Sequence, residues 1–215
     1  MSNPLTSLPA ALSNAMEATR LRLLSAGLLG RRGIALALTG SGRGAGVSTV
    51  AIGLAAALVR AGPSRVLLID GTPLGRRASA LLGCSAPALS ARAFDGPAAD
   101  LAAAVQHLEG PGFDLLTLTN APDPEQQPAT DPAWSAFCHG YDNVIVDAGA
   151  INTDTPFRWS PWVDHTALVL DTTRVTREMM DHQRRALEGG RLRLAGFILN
   201  KREFHVPAAL YRALG

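Results

Sequence analysis

The chain has 215 residues, 47% of them hydrophobic and 18% charged, which is enough apolar material for one substantial core. A formal net charge of +2 gives no electrostatic case for nucleic acid as a partner, and Lys201 is the only lysine among twenty basic residues. Cys84 and Cys138 form no CxxC pair and lie among small or apolar residues, so both read as reduced thiols of a cytosolic protein.

The first thirty residues contain no apolar run near 18 residues and carry charges in their middle, which argues against a signal peptide or a membrane span. Leu5, Leu8, Leu12, Met16, Leu23, Leu24 and Leu28 recur at near-helical spacing. They predict an amphipathic helix that packs on the chain's own core, or on a neighbouring subunit. Residues 1–30 are thus expected to form an N-terminal helical segment, and residues 31–215 the main domain.

Five apolar runs follow. "IALALTG" (34–40), "RVLLIDG" (65–71) and "NVIVDAG" (143–149) end in glycine or aspartate, while "HTALVLD" (165–171) and "LAGFILN" (194–200) end in aspartate and asparagine. Such continuous runs read as strands buried on both faces of a parallel sheet. Helical patterns over 48–61, 74–82, about 98–109, 131–138 and 173–188 separate them. The alternation predicts an α/β fold with a doubly wound, mostly parallel sheet, helices on both faces and polar residues gathered at the strands' carboxyl ends. "NAPDPEQQPATDPAW" (120–134), with four prolines, is the clearest loop.

The first strand runs into "TGSGRGAGVST", where glycines alternate before a Ser-Thr pair opens a helix. In a Walker A loop, glycines let consecutive backbone N–H groups curl around phosphate oxygens; a lysine bridges the β- and γ-phosphates and a Ser/Thr hydroxyl holds Mg²⁺. Gly44, Ala45 and Gly46 supply the curl here, and Ser48 the hydroxyl. The pattern GxxxxGK[ST] fails at Ser41, flanked by Gly40 and Gly42, and at Val47, which stands in the lysine's place. Hydrogen bonds to charged groups contribute about 1.5–3 kcal/mol each, so the missing lysine corresponds to roughly a tenfold to hundredfold loss in affinity or rate. Arg43 is a candidate substitute from the loop itself, though its guanidinium is bulkier and leaves the backbone at a different point. Asp70 and Asp147 close buried strands beside the loop, and Asp147 is placed to hold Mg²⁺ through water. Asn200 follows another strand and presents an amide suited to an adenine edge.

In order and spacing, "TGSGRGAGVST", "VLLIDG", "YDNVIVDAG", "DHTALVLDTTRVTRE" and "LAGFILNKRE" resemble the cytoplasmic domains of bacterial tyrosine kinases of the capsule and exopolysaccharide type. These form the CpsD/CapB group within the MinD/ParA class of P-loop ATPases. The resemblance covers about residues 15 to 212 and implies a P-loop NTPase fold with ATP or ADP and Mg²⁺ as ligands. It makes Gly44, Ala45, Gly46, Val47, Ser48 and Thr49 the phosphate- and magnesium-side positions and Asp70 the Walker A′ aspartate. Asp147 becomes the Walker B aspartate and Asn200 the adenine-contacting asparagine. In an active member Asp70 and Asp147 are the catalytic carboxylates, and Ser48 and Asp147 hold the metal.

The departures from that pattern bear on activity. Val47 replaces the lysine, Thr72 replaces the second aspartate of Walker A′, "DAGA" from Asp147 replaces "DTPP", and Gly42 occupies the position of the extra signature lysine of MinD and ParA. No C-terminal tyrosine cluster is present, the tyrosines being Tyr141 and Tyr211 alone. Of the N-terminal EX2RX2R oligomerisation motif, Glu17 and Arg20 fit and Leu23 does not.

The preferred reading is therefore a catalytically degenerate, tyrosine-kinase-like subunit that regulates or binds within a polysaccharide polymerisation and export machine. Its implied partner is the cytoplasmic part of a membrane co-polymerase or chain-length regulator, or an active kinase paralogue, with self-association a further option. Its expected location is cytoplasmic, with recruitment to the inner membrane through that partner. An active protein-tyrosine kinase or ATPase of the same system, and a MinD/ParA-like positioning or cellulose-synthesis accessory ATPase, stay open. Trp134, Trp159 and Trp162 read as packing beside the sheet, with a partner-binding face as the alternative. The five histidines show no ligand spacing. Arg174, Arg177, Arg184 and Arg185 read as a solvated helix face, or as one turned to acidic groups on a partner.

Overall fold

The computed structural model describes residues 10–72, 77–84, 88–95, 98–123, 132–189 and 192–201. The five expected apolar runs become β1 (Ala35–Gly40), β2 (Val66–Asp70), β6 (Asn143–Ala150), β7 (His165–Asp171) and β8 (Leu194–Asn200). Three further strands, β3 (Ala88–Leu89), β4 (Gln106–Leu108) and β5 (Phe113–Leu118), lie outside that expectation. The order across the sheet is β3-β5-β2-β6-β1-β7-β8, and every pair is parallel except β4 with β5.

The antiparallel pair corrects the helix expected over 98–109. The helix there, α4 (Ala98–Ala103), ends early, and Gln106–Leu108 then folds back along Phe113–Leu115. Gly112, at φ 76°, turns the chain in a conformation that favours glycine, and Nδ1 of His107 lies 2.6 Å from Oδ1 of Asp114 across the pair. The other helices are α1 (Ala10–Ser25), α2 (Val47–Arg60), α3 (Arg77–Leu82), α5 (Pro132–His139), the short α6 (Thr155–Trp159) and α7 (Arg177–Gly189).

Strand side chains alternate between two faces, and both are covered over the inner strands. The edge strand β8, expected to be buried on both faces, instead leaves Phe197 and Leu199 more than half exposed, because no further strand or helix covers it among the described residues. Leu36, Leu38, Val66, Leu68 and Ile145 pack on one side with α1, α2 and α3. Ala37, Leu67, Ile69, Val144 and Val146 pack on the other with Phe94, Leu101 and the three tryptophans. Trp134, Trp159 and Trp162 are buried there, which selects the packing alternative for them; Trp159 donates its indole N–H to the Gly71 carbonyl at 3.3 Å. Cys138 is buried in this layer and Cys84 partly buried on the opposite one, and both are free thiols.

The N-terminal helix α1 lies against α2 through Met16 and Leu23, both buried. Gly53 of α2 makes the close approach possible, since a Cβ there would fall 2.8 Å from Cγ of Met16. Glu17 and Arg20, the two fitting residues of the oligomerisation motif, are ion-paired to each other along α1. Among the described residues no helix is long and apolar enough to cross a membrane. Because Met16 is buried in the core against Gly53, Met16→Ala is expected to lower unfolding free energy by about 2–4 kcal/mol. Denaturant titration of the full chain measures it.

Candidate phosphate-binding site

The central strand β1 has β6 on one side and β7 on the other, so the order of connection reverses at its carboxyl end. In open α/β sheets a ligand crevice forms at such a reversal. There the chain leaves β1 at Gly40, passes Ser41 to Gly46 and enters α2 at Val47. Gly44 and Gly46 hold φ values of 81° and 91°, the left-handed turns that aim successive amides to one side.

Three carbonyls of this loop are gripped from outside it. Ser41 O accepts from Nε2 of Gln183 on α7 at 2.5 Å, Gly44 O from Nζ of Lys201 at 2.6 Å, and Ala45 O from Nδ2 of Asn200 at 2.8 Å. A trans peptide is planar with its C=O and N–H opposed, so gripping a carbonyl on one side aims the following amide to the other. The Ala45 amide closes a turn onto Gly42 O at 3.2 Å. Among the described residues, the backbone N–H groups of Gly44, Gly46, Val47, Ser48 and Thr49 have no hydrogen-bond partner within the chain. Unpaired amides at the start of a 14-residue helix, with its positive dipole end, form an anion-binding arrangement.

Val47 turns away from that cradle. It is 7% exposed, belongs to the core beneath α2, and its Cγ2 occupies the space that a side chain at Gly40 would need. Ser48 is buried and donates its hydroxyl to Oδ2 of Asp147 at 2.5 Å, while the Gly149 amide donates to Oδ1 at 3.1 Å. Asp147 is wholly buried, and burial pushes its carboxyl up to about 6 against the Ser48 hydrogen bond. Asp70, its register partner on β2, is equally buried. It accepts from the Ser79 amide at 3.0 Å, the Ser79 hydroxyl at 2.9 Å and the Thr72 hydroxyl at 2.9 Å. Thr72 thus brings a donor to Asp70 where a second aspartate would bring a charge.

The sequence-derived residues therefore converge: the loop, Ser48, Asp70, Asp147 and Asn200 share one end of the sheet. Thr49 and Arg43 are exposed beside it. A hydroxyl and a carboxylate already in contact, next to unpaired amides, are the oxygen donors a hard cation such as Mg²⁺ takes together with a phosphate, so the donor set fits that group. Lys201 is the residue that motif reading missed; its one signal was being the single lysine, directly after Asn200. Its ammonium also reaches Oδ2 of Asp171 at 2.8 Å, and that hydrogen bond, then the Thr173 hydroxyl, holds the Asp171 carboxyl down to about 2. The histidines make no metal cluster among the described residues, and His205 lies outside them.

These features define a P-loop NTPase-type α/β fold. Compared with solved structures, the chain has the fold of the kinase domain of Escherichia coli tyrosine kinase ETK, at 22% identity over 91% of this chain and 79% of that one, with a TM-score of 0.71. The VpsO kinase domain matches at 21% identity over 90% and 96% of the two chains, TM-score 0.69. The septum site-determining protein MinD of Pyrococcus horikoshii, solved with Mg-ADP, matches at 20% identity over 84% and 76%, TM-score 0.59. No protein-family model matches the chain, and no curated protein sequence does.

Gly46→Ala is expected to be among the costliest small substitutions: its Cβ would collide with Nδ2 of Asn200 at a φ that disfavours side chains. A loss of about 1–3 kcal/mol in denaturant unfolding is the expected outcome. Asp147 supplies a pH test. Unfolded, it ionises near 3.8, whereas folded it keeps its proton to about 6. Between those values the folded state holds the extra proton, so stability falls as pH rises, by on the order of 3 kcal/mol. Asp171 has the opposite sign and acts below its ordinary 3.8. Unfolding free energies measured across both windows separate the two, and Asp147→Asn is expected to remove only the upper dependence.

Proposed function

We propose that the chain is a tyrosine-kinase-like P-loop protein of an exopolysaccharide or capsule system that has lost phosphoryl transfer and serves as a regulatory or binding subunit. The observation that carries this reading is the side chain at position 47. A lysine there would bring an ammonium to the β- and γ-phosphates; Val47 instead brings two methyl groups into the core and fills the gap above Gly40. Phosphoryl transfer depends almost entirely on positioning and on charge stabilisation, so removing this cation removes one of the parts that stabilise the transferring charge.

The tyrosines support the same reading. Tyr141 is buried beneath the Arg65 guanidinium, 5.0 Å from its ring, and burial drives its hydroxyl above the ordinary range. A phosphate acceptor needs an exposed hydroxyl, which Tyr141 does not offer. Tyr211 lies outside the described residues.

In this role the loop amides and the first turn of α2 bind the phosphates of ATP or ADP, and Ser48 and Asp147 hold Mg²⁺, which offsets phosphate charge. Asp147 and Asp70 keep the strand ends in register, and the nucleotide shapes the surface offered to a partner rather than donating its γ-phosphate. The partner is the cytoplasmic part of a membrane polysaccharide co-polymerase or an active kinase of the same system. The retained Ser48, Asp70 and Asp147 favour a second reading, an active kinase or ATPase whose cation comes from Arg43 or from a partner's arginine.

Calorimetric titration with MgATP of the native chain and Val47→Lys, beside an assay for labelled γ-phosphate transfer, tests the proposal. The expected outcome is at least tenfold tighter binding by Val47→Lys and no transfer by the native chain. Transfer by the native chain that disappears in Asp147→Ala would sink the proposal and establish the second reading.

A further inference from the structure

The phosphate loop contains no lysine, yet a lysine grips it. Lys201 lies 157 positions from Gly44, at the end of an edge strand, and its ammonium spans the Gly44 carbonyl and the Asp171 carboxylate. Its backbone is held at φ 55°, and among the described residues it is the one non-glycine residue with positive φ. L residues avoid this conformation, and where it persists the surroundings enforce it. Here it follows directly after a residue that is itself pinned: the Asn200 carbonyl accepts from both the amide and the hydroxyl of Thr172, each at 3.1 Å. The Asn200 amide group meanwhile donates to the next carbonyl of the loop, that of Ala45. Two consecutive side chains, the last of β8 and the one directly after it, thus hold two consecutive carbonyls of the loop.

We infer that Asn200 and Lys201 form a clip, at the end of the edge strand, that holds the loop in its phosphate-accepting shape. The chemistry follows from peptide geometry. With Gly44 O turned to Lys201, the Ala45 amide points back to Gly42 O; with Ala45 O turned to Asn200, the Gly46 amide points into the cradle. Asp171 completes the device, because its carboxylate fixes the ammonium and is itself fixed by the Thr173 amide and hydroxyl. Lys201 is accordingly a positioning residue, and the ligand it prepares for is the diphosphate of a nucleotide. That last clause rests on the nucleotide-binding reading proposed above, whereas the clip is a property of the ligand-free chain.

The test uses the full chain as native protein, Lys201→Gly and Lys201→Arg. Lys201→Gly removes the ammonium and also relieves the positive φ, so backbone strain cannot account for a loss. The first readout is amide hydrogen exchange by NMR without ligand. The Ala45 amide is expected to exchange at least tenfold faster in Lys201→Gly and to recover in Lys201→Arg, with the core amides of Leu38 and Val146 unchanged. The Asp171 carboxyl is expected to titrate at higher pH once the ammonium is gone, with the Thr173 hydrogen bonds still holding it below its ordinary range. The second readout is ADP affinity by calorimetry, expected to fall at least tenfold in Lys201→Gly. Unchanged Ala45 exchange in Lys201→Gly would overturn the clip whatever ADP does, as would faster exchange spread equally through the core. Selective loosening of Ala45 in a protein that binds no ADP even in its native form would uphold the clip and overturn the nucleotide-binding reading.

Discussion

The absence of a side chain at Gly40 and the presence of two methyl groups on Val47 form one constraint, and the site is arranged around it. Val47 closes the space over the end of β1, and this draws the first turn of α2 down onto the sheet. The next residue, Ser48, then meets Asp147 at the end of β6. An apolar contact fixes the start of the helix, and the polar contacts follow from it. A lysine at 47 would have to leave the core to reach a phosphate; valine gains by staying, since burying such a side chain contributes about 1.5–3 kcal/mol.

Two wholly buried aspartates at paired positions on adjacent strands would repel if nothing intervened. The chain answers with neutral donors: the hydroxyls of Ser48, Ser79 and Thr72 and the amides of Ser79 and Gly149. The cations stand further out, on Asp171 and at the loop's rim. Burial makes Asp147 keep its proton up to about pH 6, while Asp171, beside Lys201, gives its proton up readily. One end of the sheet thus carries two carboxyl groups in different settings, the inner one closed in by neutral donors and the outer one holding an ammonium.

Most of the fold was legible because buried parallel strands write continuous apolar runs, and β1, β2, β6 and β7 each do so; β8 writes one as well, yet lies at the sheet's edge with Phe197 and Leu199 exposed. The hairpin of β4 and β5 was not legible as such. Its first arm, Gln106–Leu108, is short and half polar and continues a helical pattern from α4, so local periodicity favoured the helix until Gly112 turned the chain. The site residues at strand ends were legible because Asp70, Asp147 and Asn200 each terminate an apolar run in a polar group. Lys201 was not, since no motif spacing predicts a contact across 157 positions. The pinning of Asn200 and the left-handed backbone after it are properties of the folded strand end, and only the assembled sheet brings them to the loop.

The tryptophan layer has a consequence beyond packing. Trp134, Trp159 and Trp162 lie with ring centroids 5.5 to 6.3 Å apart where the pairs are in contact, and Trp159 is hydrogen-bonded to the Gly71 carbonyl, one residue from Asp70. Excitation absorbed by one indole passes readily to its neighbours at such separations, so the emission of the cluster responds to the surroundings of every indole, Trp159 included. A change at the ends of β2 and β6 reaches that indole through a single peptide group. The fold thus carries an intrinsic optical reporter of its own strand ends, one that needs neither a label nor a coupled reaction.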